Sequence, residues 1–446
     1  GIRQVDSNFA DKIGKWFQSA TGSFDLYVLF TEKGLKLAKA DGILNFIMPI
    51  KWINSAFGKG LRQVIQDQKA ANKIISFEAF QVFNASTYTG LQWFKRESNT
   101  LNYLQLDRDL PNTVELGNYL NRLSQNDFNL YDQHSLHKKA WTLTDNHAEK
   151  ILQKIKQQPL KAQNIFEKIF TGLQTSKDSV YFIMNAQSDG KTIVGYSREL
   201  DKQVTLELAL VKPLLKGDQV HRYEKLSTNN YVIFPYKLEN GNAILYTETE
   251  IKQLFPKGYA YLKENEESLR YRENGRFNND TWYQFGRSQG ILFEGKPKLI
   301  CPDICLGGNY TFDDKGKFYS TTTLYGYIKH EKINLSYEFL IGLFNSNLVW
   351  YFLQNTGTIL ANNYFRFMPR YVNEVPICKP NKNQEQKIVS IVNQIISQKT
   401  KGVDTTDLEQ QIDTLVYKLY NLSYEEVLVI EPEFSLSAAE YASVEV

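Results

Sequence analysis

The sequence predicts a multidomain protein of mixed α/β and α+β class, because three kinds of pattern follow one another along its 446 residues. A nearly unbroken apolar run of strand length at 42–49 stands between two amphipathic helical segments, which indicates α/β structure. Short β-type runs within 159–378 alternate with turns rich in Gly, Asn and Asp, which indicates a mixed, mostly antiparallel domain. Two amphipathic segments within 379–446 predict a C-terminal helical hairpin.

The amino-terminal region predicts the second half of a doubly wound α/β domain. A helix is expected from Ser23, which can cap it, with Leu26, Phe30 and Leu37 on its buried face. The run 42–49 has the composition of a strand buried on both faces, so it is expected at the centre of its sheet. A second helix and two further strands follow, and the few residues before Ser23 cannot supply the strands that would fill such a sheet.

Four regions are predicted from the changes in composition along the chain. They are an α/β region at 1–96, a helical connector at 97–158, a mixed α/β domain at 159–378, and a helical hairpin with a tail at 379–446. In the connector Asn, Gln and Asp dominate and apolar residues are sparse. In the last region apolar residues recur at helical spacing in two segments joined by a polar link.

The composition is that of a globular protein of a reducing compartment. Hydrophobic residues make up 42% and charged residues 23% of the chain, and the net charge of +3 permits a polyanionic partner without demanding one. Phe and Tyr number 27 each, enough to leave rings for stacking on bases besides those in cores. Three cysteines do not suggest a disulfide framework, and no apolar run approaches about 18 residues. A cytoplasmic protein with no membrane partner is therefore expected.

Residues near the amino end resemble the later motifs of a DNA-modifying family. Ile2-Arg3-Gln4, the segments 26–33 (LYVLFTEK) and 42–49 (GILNFIMP), and the following Lys51-Trp52 are similar to the adenine-specific DNA methyltransferases of the gamma (TaqI-like) class, as fused into type IIG restriction-modification enzymes. In that family Ile-Arg-Gln commonly follows the catalytic Asn-Pro-Pro-Tyr motif. The resemblance implies that 1–96 is the second half of a Rossmann-like methyltransferase fold, truncated just after that motif.

A second part of the chain resembles the target recognition domain of the same enzymes. The similarity lies in 169–183, in 211–217 with His221-Arg222-Tyr223, in Asn345-Ser346 and in Val375-Pro376-Ile377. It implies that 159–378 is a mixed α/β domain that recognises a DNA target.

The resemblance also implies what the parent enzyme does and what this chain lacks. The parent would transfer a methyl group from S-adenosylmethionine to adenine and would cleave unmodified DNA with magnesium. The sequence contains no Asn-Pro-Pro, and no strand followed by a glycine-bearing turn precedes Ser23. We therefore expect no catalytic residue and no metal site in this chain, no cofactor bound to it, and no methyl transfer by it alone. Its expected partners are double-stranded DNA and the missing N-terminal methyltransferase and nuclease regions of the parent.

Two aromatic residues receive roles from the resemblance. Phe30 occupies the position of an aromatic residue whose edge lies against the adenine of the cofactor, and the alternative is a core residue on an amphipathic helix. Phe83 occupies the position of an aromatic residue that stacks on the flipped-out target adenine. Stacking returns roughly 1–3 kcal/mol to an unstacked base. The alternative for Phe83 is an anchor of its loop.

Basic residues of the third region are candidate contacts to the DNA backbone. Lysine and arginine neutralise phosphates without reading the sequence. The candidates are Lys177, Lys212, Lys216 and Arg222.

The stretch 270–289 interleaves cations and polar side chains with aromatic rings, a combination that suits DNA contact. The alternative is a strand in which alternate rings are buried and the polar residues are wet. The candidate DNA contacts are Arg272, Tyr283, Gln284 and Arg287.

Two other functions are compatible with the sequence. A stand-alone specificity subunit or DNA-binding adaptor would work without catalysis in the same chain, but it would have no reason to keep the strand at 42–49. A nuclease using Asp303, Asp313 and Lys315 has the residue order of a magnesium-dependent site. The spacing of that set is loose, however, and the sequence between its aspartates predicts a turn.

Overall fold

The computed structural model describes residues 6–77, 80, 82–83, 88–106, 110–136, 140–141, 143, 146–239, 241–357, 359–360 and 364–446. Backbone contacts divide the chain into two compact units, Gly1–Lys150 and Ile151–Val446. Each unit has its own sheets and cores, and each is described by itself.

The first unit is built on a five-stranded sheet. Its helices are α1 (Ser7–Gly14), α2 (Leu26–Leu37), α3 (Lys59–Asp67) and α4 (Thr113–Leu120), and its strands are β1 (Ile43–Pro49), β2 (Ala71–Ser76), β3 (Thr89–Lys95), β4 (Thr100–Gln105) and β5 (Asn129–Asp132). The strand order is β1-β3-β2-β4-β5, in which β2 and β4 are parallel and the other pairs antiparallel. The predicted order of helix, strand, helix, strand and strand is present from α2 to β3.

β1 lies at an edge of this sheet, although the sequence predicted a central strand. Among the described strands only β3 pairs with it, and its side chains alternate between exposed and partly buried. Ile43 is 59% exposed, and Ile47 is also exposed. Because a buried strand and an exposed apolar edge strand share one composition, the run 42–49 could not reveal its place in the sheet. Its outer edge is able to accept another strand.

The helix α2 buries a different face from the predicted one. The buried apolar residues are Val28, Leu29 and Leu35. Phe30, in contrast, is 64% exposed, and Leu37 is exposed as well. A Cβ atom at Gly34 would come within 2.8 Å of a Leu44 methyl carbon, so the helix meets β1 closely at this residue. Phe30 is one helical turn before Gly34 and therefore belongs to the face that meets β1.

The region 97–158 contains strands as well as helices, so the prediction of a helical connector was wrong. β4 and β5 extend the first sheet, and β4 buries Leu101 and Tyr103. The alternation of these two residues with polar neighbours is a strand pattern of period two. The surrounding Asn and Gln residues obscured it. The helix α5 (Asn146–Lys156) contains the boundary between the two units.

The second unit contains short strands followed by a helical C-terminal part. Its strands are β6 (Leu160–Lys161), β7 (Phe166–Thr171), β8 (Phe182–Ser188), β9 (Thr192–Ser197), β10 (Lys202–Glu207), β11 (Val211–Leu215), β12 (Tyr231–Ile233), β13 (Tyr236–Glu239), β14 (Asn242–Leu245), β15 (Lys298–Pro302), β16 (Ile304–Cys305), β17 (Thr311–Asp313), β18 (Tyr319–Ser320), β19 (Leu324–Lys329), β20 (Phe365–Arg366) and β21 (Pro376–Ile377). Its further helices are α6 (Ala162–Ile165), α7 (Asp178–Tyr181), α8 (Glu248–Leu254), α9 (Pro256–Glu264), α10 (Glu266–Arg270), α11 (Ile291–Glu294), α12 (Tyr337–Phe344), α13 (Asn347–Thr356), α14 (Pro369–Val372), α15 (Lys382–Lys399), α16 (Thr406–Leu419), α17 (Tyr424–Ile430) and α18 (Ala438–Ser443).

Two sheets dominate this unit. One has the order β10-β9-β8-β12-β11-β18 and the other the order β17-β15-β19-β7. Within both sheets the pairs are antiparallel except β11 with β18. The predicted mixed, mostly antiparallel domain is confirmed.

The helices α15 and α16 form the predicted hairpin, and they pack into the core of the second unit. A Cβ atom at Gly342 of α12 would lie 2.8 Å from Ile388 and 3.2 Å from Val392, so α12 and α15 approach closely. Both α15 residues belong to one core cluster with Phe339 and Ile412. The predicted boundary at 379 therefore does not separate two compact units.

Among the described helices, none is both long enough and apolar enough to cross a lipid bilayer. The 18-residue helix α15 mixes apolar positions with lysine, glutamine and glutamate along its length.

Candidate nucleic-acid interface

Two segments that are distant in sequence lie on either side of residues 172–177 in the second unit. Leu173 forms a parallel bridge with Thr321, and the next residue, Gln174, forms an antiparallel bridge with Arg287. Bridged backbones lie about 4.8 Å apart and successive residues point to opposite sides, so the backbones of Thr321 and Arg287 are roughly 10 Å from each other. One short stretch of chain thus has a threonine-rich loop on one side and a predicted DNA contact on the other.

A groove of about 410 Å³ lies on the threonine side of this stretch. It is lined by Asp178, Phe182, Arg198, Lys216, Gly217, Asp218, Thr321, Thr322 and Thr323. The hydroxyl of Thr323 accepts the backbone N–H of Gly217 at 3.0 Å and lies 2.7 Å from the hydroxyl of Thr321. These contacts tie the threonine loop to the turn that follows β11. We call this feature the threonine groove.

Two cations of the threonine groove form no ion pair among the described residues. Arg198 is exposed and Lys216 is half-buried, and neither forms an ion pair with a carboxylate of the described residues. Arg198 comes from the turn after β9 and Lys216 from the end of β11. With the threonine hydroxyls they line a concave surface that also holds the carboxylates of Asp178 and Asp218. The two cations and the hydroxyls are groups that bind an anion such as a phosphate.

Lys177, a predicted phosphate contact, is paired within the protein. Its ammonium lies 3.0 Å from Glu199, which also accepts hydrogen bonds from Ser179 at 2.5 Å and Ser268 at 2.7 Å. Burial opposes ionisation of Glu199, but the bonds from Ser179, Ser268 and Lys177 prevail and lower the pKa of Glu199 below its usual value. Lys177 thus carries little unbalanced charge.

Two other predicted phosphate contacts, Lys212 and Arg222, are not the exposed and unpaired cations that were expected. Lys212 is half-buried in β11, and burial lowers the pKa of Lys212. Arg222 is held between a carboxylate oxygen of Glu409 at 2.9 Å and the carbonyl oxygen of Asn345 at 2.8 Å. Arg222 therefore connects the loop before β12 to α16, which is a structural role.

Arg272 and Tyr283 are buried, which corrects the prediction that they contact DNA. Arg272 is 5% exposed. Its guanidinium donates to four carbonyl oxygens, those of Leu269, Thr175, Trp282 and Gln284, at 2.5–2.9 Å. Tyr283 donates its hydroxyl to the carbonyl oxygen of Tyr246 at 2.7 Å. Both residues hold the turn region 270–289 together. For Tyr283 the structure agrees with the alternative interpretation of this stretch, in which its rings are buried.

Arg287 is exposed and lies in a small polar cluster. Its Nη1 donates to Glu273 at 2.9 and 3.1 Å and to the carbonyl oxygen of Gly286 at 2.7 Å. Glu273 also accepts the hydroxyl of Ser176 at 2.6 Å and Nη1 of Arg276 at 3.1 Å. The hydrogen bond from Ser176 and the contact with Arg287 lower the pKa of Glu273 to about 2. We call these four side chains, of Ser176, Glu273, Arg276 and Arg287, the arginine cluster.

Gln284 is half-buried beside the arginine cluster, and its carbonyl oxygen accepts a bond from Arg272. The DNA contact of Gln284 stays a prediction. Arg198, the three threonines, Glu273 and Ser176 were missed by sequence reasoning. The run of threonines at 321–323 was the one visible signal, because hydroxyls in a turn between strands are common anion ligands.

Comparison with known proteins adds family matches to this geometry. The family model described as Eco57I restriction-modification methylase matches residues 2–83, and the one described as TaqI-like C-terminal specificity domain matches residues 212–377. The chain is a homologue of type II restriction-modification enzymes. The predicted resemblance is thereby confirmed, and the two matched parts are called the methylase segment and the specificity domain below.

Curated relatives extend the similarity over nearly the whole chain. RM.Eco57I of Escherichia coli, a type II restriction enzyme and methyltransferase, is 26% identical over 460 aligned positions, which cover 94% of this chain and 45% of that protein. M.BanIII of Aneurinibacillus aneurinilyticus, a type II methyltransferase, is 23% identical and covers 55% of this chain and 40% of that protein. The chain thus spans less than half the length of these two relatives.

A solved structure shares the fold. The type IIL restriction-modification enzyme MmeI, determined in complex with DNA, matches with a TM-score of 0.55 and 13% sequence identity. The match covers 96% of this chain and 54% of the MmeI chain. It supports the assignment of a mixed, multidomain α/β fold.

In the methylase segment both aromatic candidates are exposed. Phe30 is on α2 and is exposed, so it does not lie in a core formed by the described residues. Phe83 is 48% exposed. The exposed rings are free to stack on a planar group, but their roles stay predictions.

The described residues do not by themselves fit S-adenosylmethionine. Binding in a doubly wound sheet needs a turn at the carboxyl end of a strand, where backbone can approach the ligand. Before β1 the structure describes only the helices α1 and α2 and their connections. No step of methyl transfer is therefore derived from these residues.

The nuclease alternative does not have the required geometry. Asp313 is opposite Lys298 in the register of β15 and β17, whereas Asp303 follows the other end of β15. Five residues of strand separate Lys298 from Asp303, about 17 Å, so the two carboxylates cannot share a metal ion. Asp303 pairs with Arg366 at 3.2 Å instead. Among the described residues no three His, Cys, Asp or Glu side chains are grouped so that they could hold a metal ion.

Proposed function

We propose that this chain binds double-stranded DNA in a sequence-specific manner, as the specificity-bearing part of a restriction-modification enzyme. The observation that carries the proposal is the threonine groove, whose two cations form no ion pair among the described residues. The backbone of its Thr321 lies roughly 10 Å from that of the exposed Arg287, across the stretch 172–177. Cations for the DNA backbone beside a polar side chain for base edges are the combination that sequence-specific binding needs. The match of residues 212–377 to a specificity domain supports it.

Within this proposal the contacts divide into two kinds. Arg198 and Lys216 contact phosphate, because neither forms an ion pair with a carboxylate of the described residues. Arg287, whose side chain is exposed, and the neighbouring Gln284 contact bases. Lys177 and Arg222 contribute little, because each is paired with a glutamate.

For the parent protein we propose adenine methylation with S-adenosylmethionine and magnesium-dependent cleavage of unmodified DNA. The name of the relative RM.Eco57I, a restriction enzyme and methyltransferase, supports both activities. In that setting Phe83 stacks on the extruded adenine and Phe30 covers the adenine of the cofactor. The remainder of the catalytic site would come from partner regions outside the described residues.

The alternative of a stand-alone adaptor is less well supported. β1 presents an unpaired edge, within the described strands, with Ile43 and Ile47 exposed. Such an edge is a liability in a finished sheet and suits a sheet that further strands continue. This feature favours a chain that works together with the rest of a methyltransferase domain.

The experiment is selection of duplexes from a randomised pool by the purified chain, followed by sequencing. We expect a defined motif to be enriched, and we expect binding to that duplex to exceed binding to random duplex by at least about 1,000-fold. Enrichment of no motif would contradict sequence-specific recognition. Absence of binding to any duplex would contradict DNA binding altogether.

A further inference from the structure

The arginine cluster leaves one edge of Arg287 available. Its three hydrogen bonds all involve Nη1. Nε and Nη2 have no hydrogen-bond partner among the described residues, and the side chain is 42% exposed. Nε and Nη2 form the side edge of the guanidinium, with two parallel N–H donors. The N–H groups of Nε and Nη2 are therefore available to two acceptor atoms of a bound molecule.

The backbone around Glu273 is held in an uncommon conformation. Glu273, Asn274 and Gly275 have φ values of 47°, 60° and 82°, so three consecutive residues are left-handed. Residues other than glycine rarely adopt this region, and such conformations persist only where the surroundings enforce them. The preceding residue, Arg272, is fixed by its four carbonyl acceptors, and it anchors the turn that projects Glu273.

The other side of the cluster is also constrained. Ser176 has a φ of 59°, and its hydroxyl meets Glu273 at 2.6 Å. A Cβ atom at position 286 would lie 1.8 Å from the Ser176 hydroxyl oxygen. A side chain at 286 would collide with Ser176. Only glycine at this position therefore lets Ser176 lie against residue 286 while its hydroxyl contacts Glu273. Two strained segments and a required glycine thus converge on a single carboxylate–arginine contact.

The charge of Glu273 indicates what Arg287 contacts. An ionised carboxylate within about 3 Å offsets the charge of Arg287 and repels a phosphate. The edge of a guanine is uncharged but offers two acceptors, O6 and N7, in the major groove, and an arginine edge with two parallel donors matches them.

We propose that Glu273 is a positioning residue that orients Arg287 to donate its Nε and Nη2 hydrogens to N7 and O6 of a guanine in the recognised DNA. This inference rests on the proposed function of sequence-specific DNA binding. It assigns Arg287 and Glu273 a specificity role, in contrast to the threonine groove, whose cations contact phosphate.

The test compares motifs selected from a randomised duplex pool by the wild-type chain and by the variants Arg287→Ala, Glu273→Ala and Glu273→Gln. We expect one guanine of the wild-type motif to lose its preference in Arg287→Ala. We expect the same position to be relaxed in Glu273→Ala, and Glu273→Gln to retain more of the preference because its amide oxygen still accepts hydrogen bonds. Arg276→Ala is the matched control, since Arg276 also contacts Glu273, and it should keep the guanine.

A second measurement replaces that guanine by 7-deazaguanine, which lacks the N7 acceptor. Because O6 remains, wild-type affinity should fall by part of the roughly 5- to 150-fold that a whole bidentate contact contributes, whereas Arg287→Ala should lose little more. Thermal unfolding of each variant verifies that it is folded.

The outcomes separate the two levels of inference. If the wild-type chain selects no motif, the proposed function fails. If it selects a motif but Arg287→Ala weakens selected and random duplexes equally, Arg287 is a phosphate contact and the guanine assignment fails. If Arg287 reads a guanine and Glu273→Ala leaves that preference unchanged, the positioning role of Glu273 fails.

Discussion

The ammonium of Lys298 lies 3.0 Å from a carboxylate oxygen of Asp313, and both side chains are buried. The same ammonium donates to the carbonyl oxygens of Glu294 at 2.5 Å and Phe318 at 2.8 Å. This pair joins β15 to β17 at their matched ends. Asp313, whose residue type and position resembled a magnesium ligand, is thus a structural group.

Removal of the Lys298 charge should destabilise the second unit strongly. Lys298→Met leaves Asp313 buried without its partner, and we expect the free energy of unfolding to fall by about 3–5 kcal/mol. Urea unfolding of the two proteins measures the difference. Lys296→Met, a change at a nearby exposed lysine, should alter stability by less than about 0.5 kcal/mol. Equal effects of the two substitutions would contradict the structural role.

Arg272 should behave as a fold residue and Arg287 as a surface residue. In Arg272→Lys an ammonium replaces a planar group that reaches four carbonyl oxygens, and we expect a loss of about 3 kcal/mol because buried carbonyls lose their donors. Arg287→Lys should change stability by less than about 0.5 kcal/mol. Chemical denaturation compares the two variants. A stable Arg272→Lys protein would show that its hydrogen bonds are dispensable.

Residue types in 270–289 were correctly recognised as unusual, but their roles could not be assigned from sequence. Arg272 and Arg287 occur in similar local contexts, between aromatic and polar neighbours. One is buried because four carbonyl oxygens, among them that of the distant Thr175, converge on it. The other is exposed beside a carboxylate. Only tertiary packing, which brings 175 and 272 together, distinguishes them.

Elements were predicted more reliably than their positions. The run 42–49 is a strand with almost the expected bounds, Ile43–Pro49, because its apolar composition acts locally. Its position at the edge depends on which strands pair with it. The threonine groove was missed for the same reason, because it assembles residues from 178 to 323 that no local pattern connects. Family resemblance identified the region that matches a specificity domain, where the residue pattern alone could not.

Asp413 should make stability depend on pH between about 4 and 7. Burial raises the pKa of Asp413 from 3.8 to about 7, although a hydrogen bond from the backbone N–H of Asn347 opposes this. The charge of Arg222 also lowers the pKa of Asp413, whereas the charges of Glu431 and Glu409 raise it. Because the folded pKa is raised, the contribution of Asp413 to stability is complete below the unfolded pKa and is lost as the pH rises to 7.

The variant Asp413→Asn should remove this dependence. Three pKa units at about 1.4 kcal/mol each give about 4 kcal/mol. We therefore expect the stability of Asp413→Asn relative to wild type to increase by up to about 4 kcal/mol between pH 4 and pH 8. Unfolding curves at both pH values measure the change. A constant difference would show that Asp413 has the same pKa in the folded and unfolded chains.

The chain alone should not transfer a methyl group. The described residues before β1 contain only helices and connections, so they provide no strand whose following turn could approach S-adenosylmethionine. Incubation of the purified chain with DNA and cofactor labelled in its methyl group should leave the DNA unlabelled. Label in adenine that is lost in Phe83→Ala would overturn this expectation and would place a complete catalytic site in this chain.

The threonine groove should determine how DNA binding depends on salt. Each phosphate contact that is removed lowers the slope of log K against log salt by about 0.9, so Arg198→Ala combined with Lys216→Ala should lower its magnitude by about 2. Because phosphates carry no sequence information, the selected duplex and a random duplex should weaken by the same factor. Lys225→Ala combined with Lys257→Ala, which removes two exposed lysines outside the groove, should leave the slope nearly unchanged. Titrations by fluorescence anisotropy at several salt concentrations measure all three proteins. An unchanged slope in the groove variant would place the DNA backbone elsewhere on the specificity domain, whereas a loss confined to the selected duplex would make Arg198 or Lys216 a base contact.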